Sequence, residues 1–257
     1  MSAVSQPEAA AAAPSARLIT IIAVLLTFAS GSSDVAAFTR LGNAFTSVMT
    51  GNMIVFGLSL ARQSVSLGAH TATAVAAYIV GVAAGTVIGR HRENRASGAA
   101  AGEPAPGTAV RKLTDREWPP GVTLTLAVEL LLFAGVLAGW ELTGSQPAGA
   151  DQYVLLAVAA CAMGLQAAAV NRLGPGWVRT TYLTGTLTAL ISAIFRPEDK
   201  VGLRRPTVLA GLLAGAVLSG LLLASADWAV PCLPILGITA ALVLGAGRKT
   251  SAPPSRP

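Results

Sequence analysis

Charge is what this chain has least of: only 12% of its 257 residues are Asp, Glu, Lys or Arg, against 53% hydrophobic residues and a mean hydropathy of +0.62. Soluble domains carry roughly 25% charged residues, so the composition excludes a water-soluble globule and indicates an integral membrane protein. Cysteine is nearly absent. Cys161 and Cys232 both lie in apolar segments, which excludes a disulfide framework or a zinc site and leaves them as packing residues. The two histidines, His70 and His91, stand at segment ends, so no His cluster is available for metal binding or acid–base chemistry. Gly-x-Ser-x-Gly and His-Glu-x-x-His patterns are also missing, and no buried Ser/His pair is expected. The chain is therefore not expected to be an enzyme or to need a cofactor. Its net charge of +6 lies in short loops between apolar runs, where topology accounts for it, and nucleic acid is not an expected partner.

What is present is repetition. Thr50-Gly51-Asn52, followed by an apolar run over 53–61, returns as Thr184-Gly185-Thr186 followed by 187–195, and each copy ends on an arginine (Arg62, Arg196) twelve positions after its threonine. Upstream, Arg40-Leu41-Gly42 is echoed by Arg172-Leu173-Gly174 and Gly31 by Gly164; downstream, the Gly81/Gly85/Gly89 ladder is echoed by Gly211/Gly215/Ser219. These correspondences indicate an internal duplication.

Six segments are long and apolar enough to span a bilayer: 18–38, 71–89, 122–140, 153–170, 208–224 and 229–244. The two Thr-Gly elements are shorter. A run of nine residues makes about 13 Å of helix, which is less than half of a hydrocarbon core about 30 Å thick. If both elements crossed, nine of the eighteen Lys and Arg residues would lie inside, and the positive-inside rule would have no preference. If both enter and leave on one side, with the N-terminus inside, sixteen of the eighteen are cytoplasmic and only Arg40 and Arg62 are outside. The expected fold is thus an all-α membrane protein of six transmembrane helices plus two re-entrant half-helices. Three spans per copy is an odd number, so the duplication is an inverted repeat.

The corresponding layout is a disordered tail over 1–16, a first membrane repeat over 17–142 with a flexible cytoplasmic loop at 90–120, a second repeat over 151–247, and a cytoplasmic tail over 248–257. Trp118, Trp140, Trp177 and Trp228 fall near span ends and are expected as interfacial anchors.

The candidate site follows from this geometry. Thr50, Gly51 and Asn52 from one half and Thr184, Gly185 and Thr186 from the other would meet near the midplane, where free amides and the positive end of a half-helix dipole favour an anion or a polar oxygen. They could equally be helix caps with no ligand. Asp34 and Glu129 are carboxylates within spans, candidates for a proton or charge site. Asp34 has the bland alternative of capping the connection that follows it, and Glu129 that of pairing with Arg40 or Arg179. The glycines Gly81, Gly85, Gly89, Gly211 and Gly215 form small-xxx-small faces that let helices approach within one chain or let two copies meet as a homodimer.

At Gly31-Ser32-Ser33-Asp34, at 45–52, and at 179–187 the chain resembles the YoaK family of small bacterial membrane proteins of unknown function, over roughly 18–245. The resemblance implies a multi-pass protein of the bacterial inner membrane. It also draws attention to Gln166: the family often carries Gln-Asn where this chain has Gln166-Ala167, and Ala167 is the repeat counterpart of Asp34. Gln166 joins the expected substrate-binding set, with Asp34 the single ionisable residue of the pair. The leading expectation is a small-solute transporter or channel for a polar or anionic solute, with both termini cytoplasmic. The alternative is a non-transporting scaffold or sensor.

Overall fold

In hydrocarbon a backbone amide finds no water, so each long apolar run must satisfy its amides within itself, and helix is the only single-segment solution. The structure, a computed structural model, describes residues 13–100, 120–173 and 204–246. Its helices are α1 (Ala13–Arg40), α2 (Met49–Ala61), α3 (Val65–Ala100), α4 (Pro120–Leu142), α5 (Ala150–Arg172), α6 (Arg204–Ser225) and α7 (Cys232–Ala246), with a 3₁₀ turn at Asp227–Ala229 between the last two. Six apolar stretches are long enough to cross a membrane: Arg17–Arg40, Val65–Arg92, Gly121–Leu142, Ala150–Arg172, Pro206–Ser225 and Asp227–Ala246. They coincide with the six expected from sequence. No strand occurs among the described residues.

Helix directions follow from pairs of contacts at different depths. Gln152 Nε2 donates to the Arg40 carbonyl (2.9 Å) and Gln166 Nε2 to the Leu26 carbonyl (3.1 Å), so α5 runs antiparallel to α1. Gly81 packs on Cys161 and Gly89 on Arg172, so α3 is parallel to α5; Gly121 packs on Gly89 and Gly85 on Thr125, so α4 opposes α3. Gly211 meets Val24 and Gly215 meets Phe28, which makes α6 parallel to α1. One face of the bundle therefore carries Arg40, the 143–149 connection and Asp227, and the other carries Arg92, Gly121 and Arg172. On the first face Arg40 reaches Asp227 (3.7 Å) and hydrogen-bonds Gln146, while Trp140 Nε1 donates to the Asp227 carbonyl (3.0 Å). Helix α2 joins α1 to α3 at this Arg40 face.

The glycine ladders explain how closely the helices approach. A Cβ on Gly81 would stand 2.0 Å from the Cys161 carbonyl oxygen, and one on Gly215 2.1 Å from that of Phe28. Backbone cannot move aside as a side-chain tip can, so these positions admit only glycine at this spacing. Gly81, Gly85 and Gly89 serve α5, and Gly211 and Gly215 serve α1, so both ladders are covered within one chain. Around them Ile22, Leu26, Leu126, Phe133, Met163 and Ile238 form the central apolar core.

Some boundaries and placements differ from the sequence reading. Helix α1 begins at Ala13, inside the expected tail, and α3 continues to Ala100, into the expected loop, because alanine, arginine and glutamate there propagate a helix that has already nucleated. Trp140 is a core residue, 1% exposed, with its indole N–H committed to Asp227, whereas Trp228 is exposed. Arg40 does not pair with Glu129. Thr184, Gly185, Thr186, Arg179, Trp118 and Trp177 lie outside the described residues.

The packing predicts that Gly81→Leu, which must force α3 off α5, destabilises the protein by on the order of 3 kcal/mol, whereas Gly57→Ala, with nothing within 4 Å of the new methyl, leaves the thermal midpoint in detergent unchanged. Single cysteines at Thr39, Gln63 and Gly144, in a background lacking Cys161 and Cys232, are expected to label from the same side of the membrane, opposite to one at Arg92.

A candidate polar site inside the bundle

Two polar groupings lie inside the helices. The first is built on Asp34, six residues before the end of α1, or about 9 Å of helix back from that end. The chain leaves α1 and turns on itself through Gly42 (φ 87) and Asn43 (φ 58). Gly42 lies so close to the His70 ring, 2.1 Å from where a Cβ would stand, that no side chain fits. The strand of irregular backbone that follows is buried: Ala44 and Thr46 are 0% exposed. Its amides must find partners, and Asp34 supplies them. Oδ1 accepts from the backbone N–H of Thr46 and of Ser47 (both 2.8 Å) and from Thr46 Oγ1 (2.9 Å), and Oδ2 accepts from Ser47 Oγ (2.6 Å). Thr46 Oγ1 also lies 3.0 Å from Ser33 Oγ.

Asn52 does the same work from the other side. Its Oδ1 accepts from the Phe45 N–H (2.8 Å) and its Nδ2 donates to the Phe45 carbonyl (2.7 Å). The Phe45 ring stacks on Phe38 with centroids 4.8 Å apart and packs against Gly51. Thr50 points outward and is exposed. Thr50, Gly51 and Asn52 therefore form the first turn of α2 rather than a loop before it, and only Asn52 of the three turns inward, fully used by backbone. This is the capping arrangement in which a side chain replaces missing backbone partners.

The second grouping lies deeper. Glu129 is 0% exposed near the middle of its span, and neither carboxylate oxygen has a hydrogen-bond partner. It belongs to the stripe Val122, Leu126, Glu129, Phe133, Val136 and Trp140, the inward face of α4. Gln166, 2% exposed, donates from Nε2 to the Leu26 carbonyl and to Ser30 Oγ (2.8 Å), while its Oε1 is unpartnered. The register of α4 against α5 is pinned at two depths: Gly139 packs on Leu155, and Thr125 and Ala168 both approach Gly85. Counting in from the two pairs places Glu129 at the level of Gly164 and Leu165, within half a turn of Gln166. Just toward the Arg40 face, Ser32, Ser33, Phe133, Val136, Trp140 and Pro234 line a cavity of about 20 Å³, room for about one water.

The structure thus separates residues that sequence grouped together. Asp34 and Asn52 hold one connection, Gln166 and Glu129 share a layer in the centre, and Gly81, Gly85, Gly89, Gly211 and Gly215 pack helices. Thr46, Ser47 and Ser30 were not singled out from sequence. Thr46 and Ser47 lie inside the family-like block 45–52, the one signal that could have found them; Ser30 is one turn from Asp34 and reads as an ordinary small residue. His70 is buried, stacked on Tyr153 at 3.9 Å, with Nδ1 2.8 Å from the Ser66 carbonyl and Nε2 unpartnered. No group of three His, Cys, Asp or Glu residues arranged to hold a metal occurs among the described residues.

Because Asp34 satisfies four donors at once, Asp34→Ala is expected to destabilise the protein by on the order of 3 kcal/mol or more and to open the 41–48 connection to proteolysis. Asn52→Ala should act in the same direction with a smaller effect, read by thermal unfolding and limited digestion.

Comparison with known proteins agrees with the fold. The family described as "Protein of unknown function (DUF1275)" matches residues 22–245. The UPF0700 transmembrane protein YoaK of Bacillus subtilis (strain 168) is 29% identical over 192 residues, covering 73% of this chain and 74% of that protein. No solved structure matches. With its helical membrane-spanning core falling within the matched region, the chain belongs to the YoaK family of transmembrane proteins of unknown function (DUF1275).

Proposed function

We infer that this protein is a small-solute transporter or channel whose site lies between two halves of opposite orientation. The observation that carries the reading is Glu129, fully buried at mid-span with both oxygens unpartnered. A carboxyl group in that position costs several kcal/mol and contributes nothing to packing that leucine would not do better. Ionisable groups retained inside membrane helices line substrate or ion pathways.

Helix directions support the inverted repeat. Each span of the first half, α1, α3 and α4, has a counterpart of opposite direction in α5, α6 and α7. Packing repeats as well: α6 lies on α1 through Gly211 and Gly215 as α3 lies on α5 through Gly81 and Gly85. The first Thr-Gly element fits the re-entrant reading, since α2 begins beside Asp34, inside the bundle, and joins two antiparallel helices at one face. Arg92, Arg172 and the basic start of α6 lie on the opposite face, which the positive-inside rule assigns to the cytoplasm of a bacterial inner membrane. The partner of such a site is a small polar solute.

A scaffold or sensor role is favoured by a different observation: Asp34 and Asn52, two of the most polar buried residues, are committed to the backbone and side chains of the connection between α1 and α2. Reconstitution separates the two readings. Liposomes containing the purified protein should pass proton-coupled or solute-driven current in a panel of small polar solutes, and Glu129→Gln should reduce it about tenfold or more while the thermal midpoint stays equal or rises, as expected when a functional residue is exchanged for a better-packed one. Wild-type liposomes indistinguishable from protein-free ones across the panel would sink the transport reading and leave the scaffold.

A further inference from the structure

The chemistry of the central layer limits what can occupy it. Gln166 is oriented without ambiguity: the atom facing the Leu26 carbonyl must be the donor, because a carbonyl oxygen only accepts. Its free atom is therefore Oε1, an acceptor. Three hydroxyls near this depth are spent on helix carbonyls: Thr27 Oγ1 on Ala23 (2.6 Å), Ser30 Oγ on Leu26 (3.1 Å) and Thr125 Oγ1 on Gly121 (2.8 Å). What remains unsatisfied is Oε1 of Gln166 and both oxygens of Glu129, all acceptors. An anion would meet unsatisfied acceptors and a carboxylate opposing it. A group that brings positive charge or donates hydrogen bonds would satisfy all three atoms.

No basic side chain on the described spans fills that role at this depth. Between Arg17 and Asp34, α1 has no titratable residue; α3 offers only Tyr78 between His70 and Arg90; α5 offers only Tyr153 and Cys161 between Asp151 and Arg172; and α7 has only Cys232, at its outer start. Arg40, the nearest arginine along α1, is engaged by Asp227 and Gln146 at the bundle face. Leu126, Phe133, Met163 and Ile238, all at most 1% exposed, pack in the apolar core at this level, and the neighbouring cavity of about 20 Å³ holds about one water-sized group rather than a solute with a carbon skeleton.

We propose that Glu129 and Gln166 together form a cation site, for a proton or a monatomic monovalent ion, in which Glu129 supplies the charge and Gln166 the second acceptor. The proposal rests on the transport reading and makes this layer the coupling or selectivity element of the pathway, which admits cations and rejects anions. A bound proton would form an O–H bond on one Glu129 oxygen and donate to Gln166 Oε1; a metal ion would take the three oxygens as ligands, as small hard cations do.

Infrared difference spectroscopy on the full-length protein in lipid nanodiscs tests this. Wild type, Glu129→Gln and Gln166→Met are compared through pH jumps and through exchange of choline for Na⁺ or K⁺. The expected result is a carboxyl signal that disappears in Glu129→Gln and shifts in Gln166→Met, a variant that keeps side-chain length and volume. A signal responding to pH alone identifies the proton as occupant; one responding to Na⁺ or K⁺ at constant pH identifies the metal ion. A Glu129 signal indifferent to both pH and cations, or unmoved in Gln166→Met, overturns the site. Should Gln166→Met not fold, Ser30→Ala, which releases the Gln166 amide from one of its two anchors, is expected to shift the same signal, and an unmoved signal there counts against the pairing. The spectra need no flux: a cation-sensitive Glu129 with inactive liposomes retires transport and keeps the site, and the converse result retires the site and keeps transport.

Discussion

The bundle depends on one constraint: in hydrocarbon, a backbone amide without a partner has nowhere else to turn. Six segments meet it by being helical. The connection between α1 and α2 cannot, because Gly42 and Asn43 turn the chain back into the protein and leave the 44–47 backbone irregular and largely buried. Asp34 and Asn52 supply from their side chains what a helix would have supplied from its own carbonyls. Residues that look like a binding site on sequence grounds are thereby explained as the cost of burying non-helical backbone inside the bundle.

Close approach is the second consequence of the same medium. Between helices already in lipid there is little hydrophobic force to gain, so association relies on contact at short range. Gly81 against Cys161 and Gly215 against Phe28 bring α3 to α5 and α6 to α1 backbone to backbone. Gly139 against Leu155 and Gly85 against Thr125 and Ala168 likewise set the register that brings Glu129 to within half a turn of Gln166. Packing residues far from any polar group thus determine where the polar layer falls.

Glu129 stands apart from this economy. Asp34 is surrounded by donors that match its acceptors, whereas the layer holding Glu129 and Gln166 has acceptors in excess and its donors committed. A buried carboxyl without a hydrogen-bond partner is what supports the proposed reading of Glu129 as a group retained for what it binds. The imbalance also gives the site a sign. Half-helix dipoles had pointed toward an anion; the donor count at the centre of the bundle points the other way.

The class, the six spans and the family are legible in local pattern, because each depends on composition or short-range order: hydropathy over about 20 residues, a block such as Gly31-Ser32-Ser33-Asp34. Sequence also marked Asp34, Asn52, Gln166 and Glu129 as unusual in their surroundings. Which of them are satisfied depends on partners brought from elsewhere in the chain. Asp34 and Asn52 are answered by Thr46, Ser47 and Phe45, residues whose relevance depends on how sharply Gly42 turns the chain. Glu129 is answered by nothing on α4, and its relation to Gln166 arises from the register of two helices pinned at Gly139 and Gly85. Trp140 likewise passed from expected anchor to core because Asp227, distant in the chain, offers its indole a carbonyl. Hydrogen-bond satisfaction is a property of what surrounds a group in space, and local pattern carries no record of partners that the fold brings from elsewhere.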